Sequence, residues 1–164
     1  MAPNADANRF LAIYLNDHLA GATLGVELAR RLRSSNQGDP EMGEPLARIC
    51  AEIEADREVL ERLTEHLEVE RDQIKPVLAK LAERLGRLKL NGQFLGYSPL
   101  SRVLELEGLA MGISGKAELW RTLDGLGLGE RAGVDFEALA ARAEEQRAAV
   151  TELHQRAIAA MPLG

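Results

Sequence analysis

The segment Leu46–Leu67 constrains the fold most. Its apolar residues Leu46, Ile49, Ile53, Leu60, Leu63 and Leu67 recur at the three-to-four-residue spacing of one helix face. Between Ile53 and Leu60 the stripe is broken: Glu54-Ala55-Asp56-Arg57 puts Asp56 or Arg57 where a core residue belongs. The last long segment repeats the device, with Leu139 and Ala143, then Gln146 or Arg147, then Val150 and Leu153. Both stretches carry Glu-x-x-Arg, as Glu54…Arg57 and Glu144…Arg147. A charge survives inside a protein only when paired and hydrogen-bonded. These helices therefore either enclose a polar network or roll, so that Arg57 and Arg147 reach solvent and Ala55 and Ala143 face inward.

The rest of the composition agrees with an all-α protein. Leu, Ala, Glu and Arg abound, and aromatic residues make up only 4% of the chain. A length of 164 residues suits one domain over 1–164 with a real core. The net charge of −6, with no basic stripe, argues against a nucleic-acid partner. No apolar run approaches the roughly 20 residues of a membrane span, and Met1–Ala7 lacks the apolar core of a signal peptide. The expectation is a cytoplasmic protein with no membrane partner. Cys50, the single cysteine, lies beside Ile49 and Ile53 and reads as a small buried thiol.

In chain order, a first helix is expected over about 8–33, with Leu11, Leu15, His18, Leu19, Ala22, Val26 and Ala29 on its apolar side. Gly21, Ala22 and Gly25 thin one side of it. Each helical glycine costs about 1 kcal/mol against alanine, and close approach of another helix is the expected return. After the loop Ser34–Pro40, a second helix spans about 44–67, with Pro45 tolerated in its first turn. Long helices joined by a short loop form an antiparallel hairpin. Asp72 caps a shorter helix over about 73–90, whose apolar set is Ile74, Val77, Leu78, Leu81, Leu85 and Leu88. The loop that follows carries Phe94, Leu95 and Tyr97, expected to pack down on the helices. Ser98-Pro99 opens a helix over about 99–126, thinned in its turn by Gly108, Gly112 and Gly115. Asp135 caps the last helix, about 136–161. Leu119, Trp120 and Leu123 are expected to meet the 73–90 helix or to form a dimer surface, and a two-fold homodimer is the commonest assembly of such proteins.

Two hairpins joined by a long crossover that holds a shorter fifth helix is how ferritin-like four-helix bundles connect. Leu15-Asn-Asp-His18-Leu-Ala-Gly21, Gly86-Arg-Leu-Lys-Leu-Asn91 and Ser98-Pro-Leu-Ser-Arg102 resemble an uncharacterised bacterial group within the ferritin-like superfamily. The resemblance implies that fold for nearly the whole chain. Di-iron members of the superfamily carry a Glu on each of two helices and Glu-x-x-His on each of the other two. Here arginine ends both motifs, and a guanidinium has no lone pair for a metal.

Three functions follow as expectations. The first is a structural or interaction protein, not an enzyme and without a cofactor. Its interior would hold an arginine–carboxylate network of Asp17, His18, Glu54, Arg57, Glu107, Glu144 and Arg147, the guanidinium groups standing where relatives hold metal. The second is a metal-binding protein or oxidase using Glu27, Glu54, Glu107 and His154 for Fe, Mn or Zn, since helix counting puts these four at one level. The third is a small-molecule carrier, with an apolar cavity lined partly by the glycine-thinned sides of the first and fourth helices. No nucleophile has a base at useful spacing, and the Gly125–Gly133 glycines follow no strand, so neither triad nor phosphate-loop chemistry is expected.

Overall fold

The structure, a computed structural model, describes residues 5–69 and 97–162. Among them it is all-helical: α1 Ala5–Ser35, α2 Gly43–His66, α3 Pro99–Gly125, a single turn α4 Gly129–Ala132 and α5 Phe136–Ala159. The expected helix over 73–90, with Phe94 and Leu95 after it, lies outside the described residues.

The helix ends follow from local chemistry. Ser98 accepts a hydrogen bond from the Ser101 N–H at 3.1 Å, and Pro99 occupies the first turn of α3. Asp135 does the same for α5 through the Ala138 N–H at 2.9 Å. Gly133, at φ 63°, supplies the left-handed turn between α4 and α5. The buried Asn36 donates to the Leu32 carbonyl at 2.7 Å and to the Tyr97 hydroxyl at 3.0 Å. It thereby ties the end of α1 to the residue ahead of α3, and Tyr97 packs down as expected.

Named contacts fix the helix directions. The loop between α1 and α2 makes them an antiparallel hairpin, bridged by Arg30 to Glu54 at 2.6 Å. In α3 and α5, Glu107 meets His154, Lys116 meets Gln146 and Arg121 meets Glu144, so the partner numbers fall as those of α3 rise. That pair is the second antiparallel hairpin. Arg31 reaches Glu105 at 2.6 Å and Leu28 lies against Gly108, so α1 runs antiparallel to α3. His66 contacts the Arg131 carbonyl just ahead of α5, and Arg156 contacts the Glu41 carbonyl just ahead of α2. α2 and α5 are therefore antiparallel too, which leaves α2 parallel to α3. The interface within each hairpin is extensive, α1 on α3 is smaller, and α2 on α5 is slight.

One core serves all four long helices, from Leu15 and Leu32 through Leu46, Ile49 and Leu60 to Leu106, Leu123 and Val150. Cys50 is buried within it, and burial pushes its thiol above the usual range. Trp120 stacks on Phe136 with ring centroids 5.9 Å apart, fully inside the α3–α5 hairpin. Leu119 and Leu123 are buried with it. The expected role of these three as a dimer surface is therefore corrected: the hairpin consumes them. No helix among the described residues is long and apolar enough to cross a membrane.

Candidate functional site

Both broken stripes resolve in favour of one of the two residues each left open. Asp56 is 1% exposed and Gln146 is 2% exposed, whereas Arg57 is half-buried and Arg147 exposed. Helical phase admits either residue, since Asp56 lies three after Ile53 and four before Leu60 and Arg57 four after and three before; the inward one is Asp56, which meets Lys116 and Arg142. Ala143 faces fully inward and Ala55 outward.

The buried polar cluster is accordingly not the expected one. Asp56 accepts from Lys116 on α3, from Arg142 on α5 and from Gln146 Nε2 at 3.3 Å. Lys116 also donates to Gln146 Oε1 at 2.5 Å. Two cations thus face one carboxylate where α2, α3 and α5 converge. Burial lowers the Lys116 ammonium below its ordinary range, and the Asp56 carboxylate opposes that shift. Lys116 and Arg142 escaped the sequence reading, although the same signal marks Lys116. It stands between Ile113 and Trp120, three residues into an otherwise apolar stripe. No spacing rule identifies Arg142, because it lies one residue before the buried Ala143 and reaches Asp56 from the side.

The expected arginine–carboxylate network separates into local pairs, part-buried at Arg57 and exposed at Arg147. Arg57 bonds Glu61 one turn on at 2.7 Å. Arg147 bonds Glu144 at 2.8 Å, and Arg121 joins Glu144 from α3 at 2.7 Å. Those two arginines hold the Glu144 carboxyl below its usual range by hydrogen bonding. Glu54 turns to Arg30, and Asp17 is exposed. The physical reason is desolvation: a long guanidinium stem lets the charge reach water at little cost, so Arg147 is released to solvent and Arg57 in part. Of the alternative metal set, Glu107 and His154 meet at 3.1 Å, while Glu54 is committed to Arg30 and Glu27 is exposed. Among the described residues, no group of three or more His, Cys, Asp or Glu side chains is gathered as a metal would need.

The helical glycines reveal a cleft. Among the described residues, a Cβ added at Gly21, Gly25, Gly112 or Gly115 would meet nothing within 4 Å, and of the glycines of α1 and α3 only Gly108 sits close to a neighbour, with Leu28 Cδ2 at 3.4 Å. Among the described residues no helix approaches these four glycines closely, which corrects that expectation. They open a space of about 300 Å3 between α1, α2 and α3. Ala22, Ile53, Leu60, Leu109, Ile113 and Trp120 make its apolar walls, and Asp17, His18, Asp56, Arg57 and Lys116 bring polar groups to it. His18 makes an edge-to-face contact with Tyr14 at 4.6 Å, and burial lowers its pKa against the pull of Asp17. A second opening of about 580 Å3 lies between α2 and α5, with Arg142 in its lining. The Asp56 cluster therefore stands between the two spaces.

No protein-family model matches this chain, and no curated protein or solved structure matches it either.

Proposed function

We propose that this chain is a ferritin-like helical bundle that binds a small, largely apolar molecule in the cleft between α1, α2 and α3. The single observation that carries the reading is the set of glycines at 21, 25, 112 and 115, whose missing side chains leave open space rather than admit a neighbour. Each costs helix stability of about 1 kcal/mol against alanine, and no packing contact among the described residues offsets it. Local choices that lower stability without a structural return mark functional positions. The volume of about 300 Å3 lies at the small end of ligand pockets, and its apolar walls with a few polar groups fit their usual make-up.

The bundle connectivity is supported by the parallel course of α2 and α3, the relation that two hairpins joined by a long crossover have. The Asp56 cluster replaces the expected arginine network as the internal polar element and sets the register of the hairpins around the cleft.

Trp120 is the single tryptophan and lines the cleft, so its fluorescence reports occupancy. Titration with small apolar probes should change that emission saturably. Gly112→Leu, which fills the cleft from the α3 side, should abolish the response while leaving helicity intact. An unchanged response in Gly112→Leu would overturn the assignment of the site.

A further inference from the structure

Resting on the cleft as a binding site, the state of its polar groups says what kind of molecule fits. The charged side chains that line it balance, Asp17 and Asp56 against Arg57 and Lys116. Those inside are already paired. Asp56 accepts from three side chains, Lys116 donates to Asp56 and to Gln146 Oε1, and Arg57 donates to Glu61. Asp17 is exposed at the rim, where water solvates it. The indole N–H of Trp120 and the Nε–H of Arg57 lack partners, but both have almost no exposed surface and do not open on the cleft. A charged ligand would lose hydration on entry and find no free opposite charge in return.

His18 differs from the other polar side chains of the lining. It is part-buried, faces the cleft and meets Tyr14 through an edge-to-face ring contact. Among the described residues neither ring nitrogen has a hydrogen-bond partner; burial and the charge of Asp17 alone act on the ring. Burial prevails and lowers its pKa, so near neutral pH the imidazole is uncharged. A neutral imidazole offers one N–H donor and one acceptor nitrogen. A hydroxyl group is both donor and acceptor, so it can bond either nitrogen. Set among Ile53, Leu109 and Ile113, that single free polar group calls for a hydroxyl on an apolar, uncharged body.

We infer that the cleft binds a small, uncharged apolar alcohol or phenol, its hydroxyl hydrogen-bonded to His18 and its hydrocarbon lying along the bare faces of α1 and α3. A neutral hydrogen bond contributes about two- to tenfold in affinity. Stripping water from an unpaired charge costs more, which sets acids and amines of the same shape at least about tenfold weaker.

The test is a matched comparison on the full chain near neutral pH, read by Trp120 fluorescence and by calorimetry. 4-Phenylbutanol is set against 4-phenylbutyrate, 4-phenylbutylamine and butylbenzene. The expected result is saturable binding of the alcohol, at least about tenfold tighter than the acid or the amine. His18→Leu should weaken the alcohol by about two- to tenfold and bind butylbenzene at least as tightly as wild type does. His18→Gln, which keeps a donor and an acceptor, should bind the alcohol more tightly than His18→Leu does. Acid or amine binding as tightly as the alcohol would overturn the inference and leave the cleft reading standing; this arm needs no variant. Alcohol affinity unchanged in a helical His18→Leu, or alcohol and butylbenzene weakened alike, would also overturn it, by removing the His18 contact. No saturable binding of any of the four would overturn both.

Discussion

Asp56 is the residue on which the interior turns. A carboxylate that is 1% exposed is tolerable only because Lys116, Arg142 and Gln146 surround it. Asp56→Ala leaves two cations half-buried without their partner, and breaking a buried pair in this way costs about 3–5 kcal/mol. Urea denaturation of that variant should show a loss of this size, whereas Glu144→Ala, at a surface pair, should lie within about 1 kcal/mol of wild type. His18 gives a pH signature. Burial lowers its folded pKa below the unfolded value of about 6.5. In the window between the two values the unfolded chain holds more protons, so stability rises with pH there and falls as the solution is acidified. Thermal midpoints measured from about pH 5 to pH 7 should climb, and His18→Gln should flatten that climb.

Among the elements, α1 and α3 are the unusual ones, long helices that carry glycine where leucine or alanine would be more stable. Alanine at position 21, 25, 112 or 115 meets nothing within 4 Å. Each substitution should therefore raise stability by up to about 1 kcal/mol, read as a higher midpoint in thermal denaturation. Gly108→Ala should gain less, because its Cβ would already touch Leu28 Cδ2 at 3.4 Å. If the cleft is the binding site, the stabilised variants should bind weaker in proportion to the volume filled, a trade of stability against function. A glycine set retained for packing would give the opposite result, since added methyl groups would then force helices apart and destabilise.

For the whole molecule, the interfaces are unequal. α3 and α5 pack extensively on each other and share the Trp120–Phe136 stack, whereas α2 has a large interface with α1 alone. Native-state hydrogen exchange should therefore show the central amides of α3 and α5 outlasting those of α2. Equal protection in all four helices would argue that the hairpins open only together.

The residues alone determined the helical class, the four long helices among the described residues and most of their ends. Stripe period, Ser98-Pro99 and Asp135 are local signals, and local hydrogen bonds answer to them. They also located the polar breaks in α2 and α5. Which residue of each break turns inward was decided by the tertiary structure, because Asp56 and Arg57 differ by a single helical step. The choice fell to the one that Lys116 and Arg142, distant in sequence, could neutralise. The purpose of the glycines was likewise invisible in the chain: a missing side chain reads the same whether a neighbour fills its place or nothing does. Only the packing of α1 against α3 showed that the space is open.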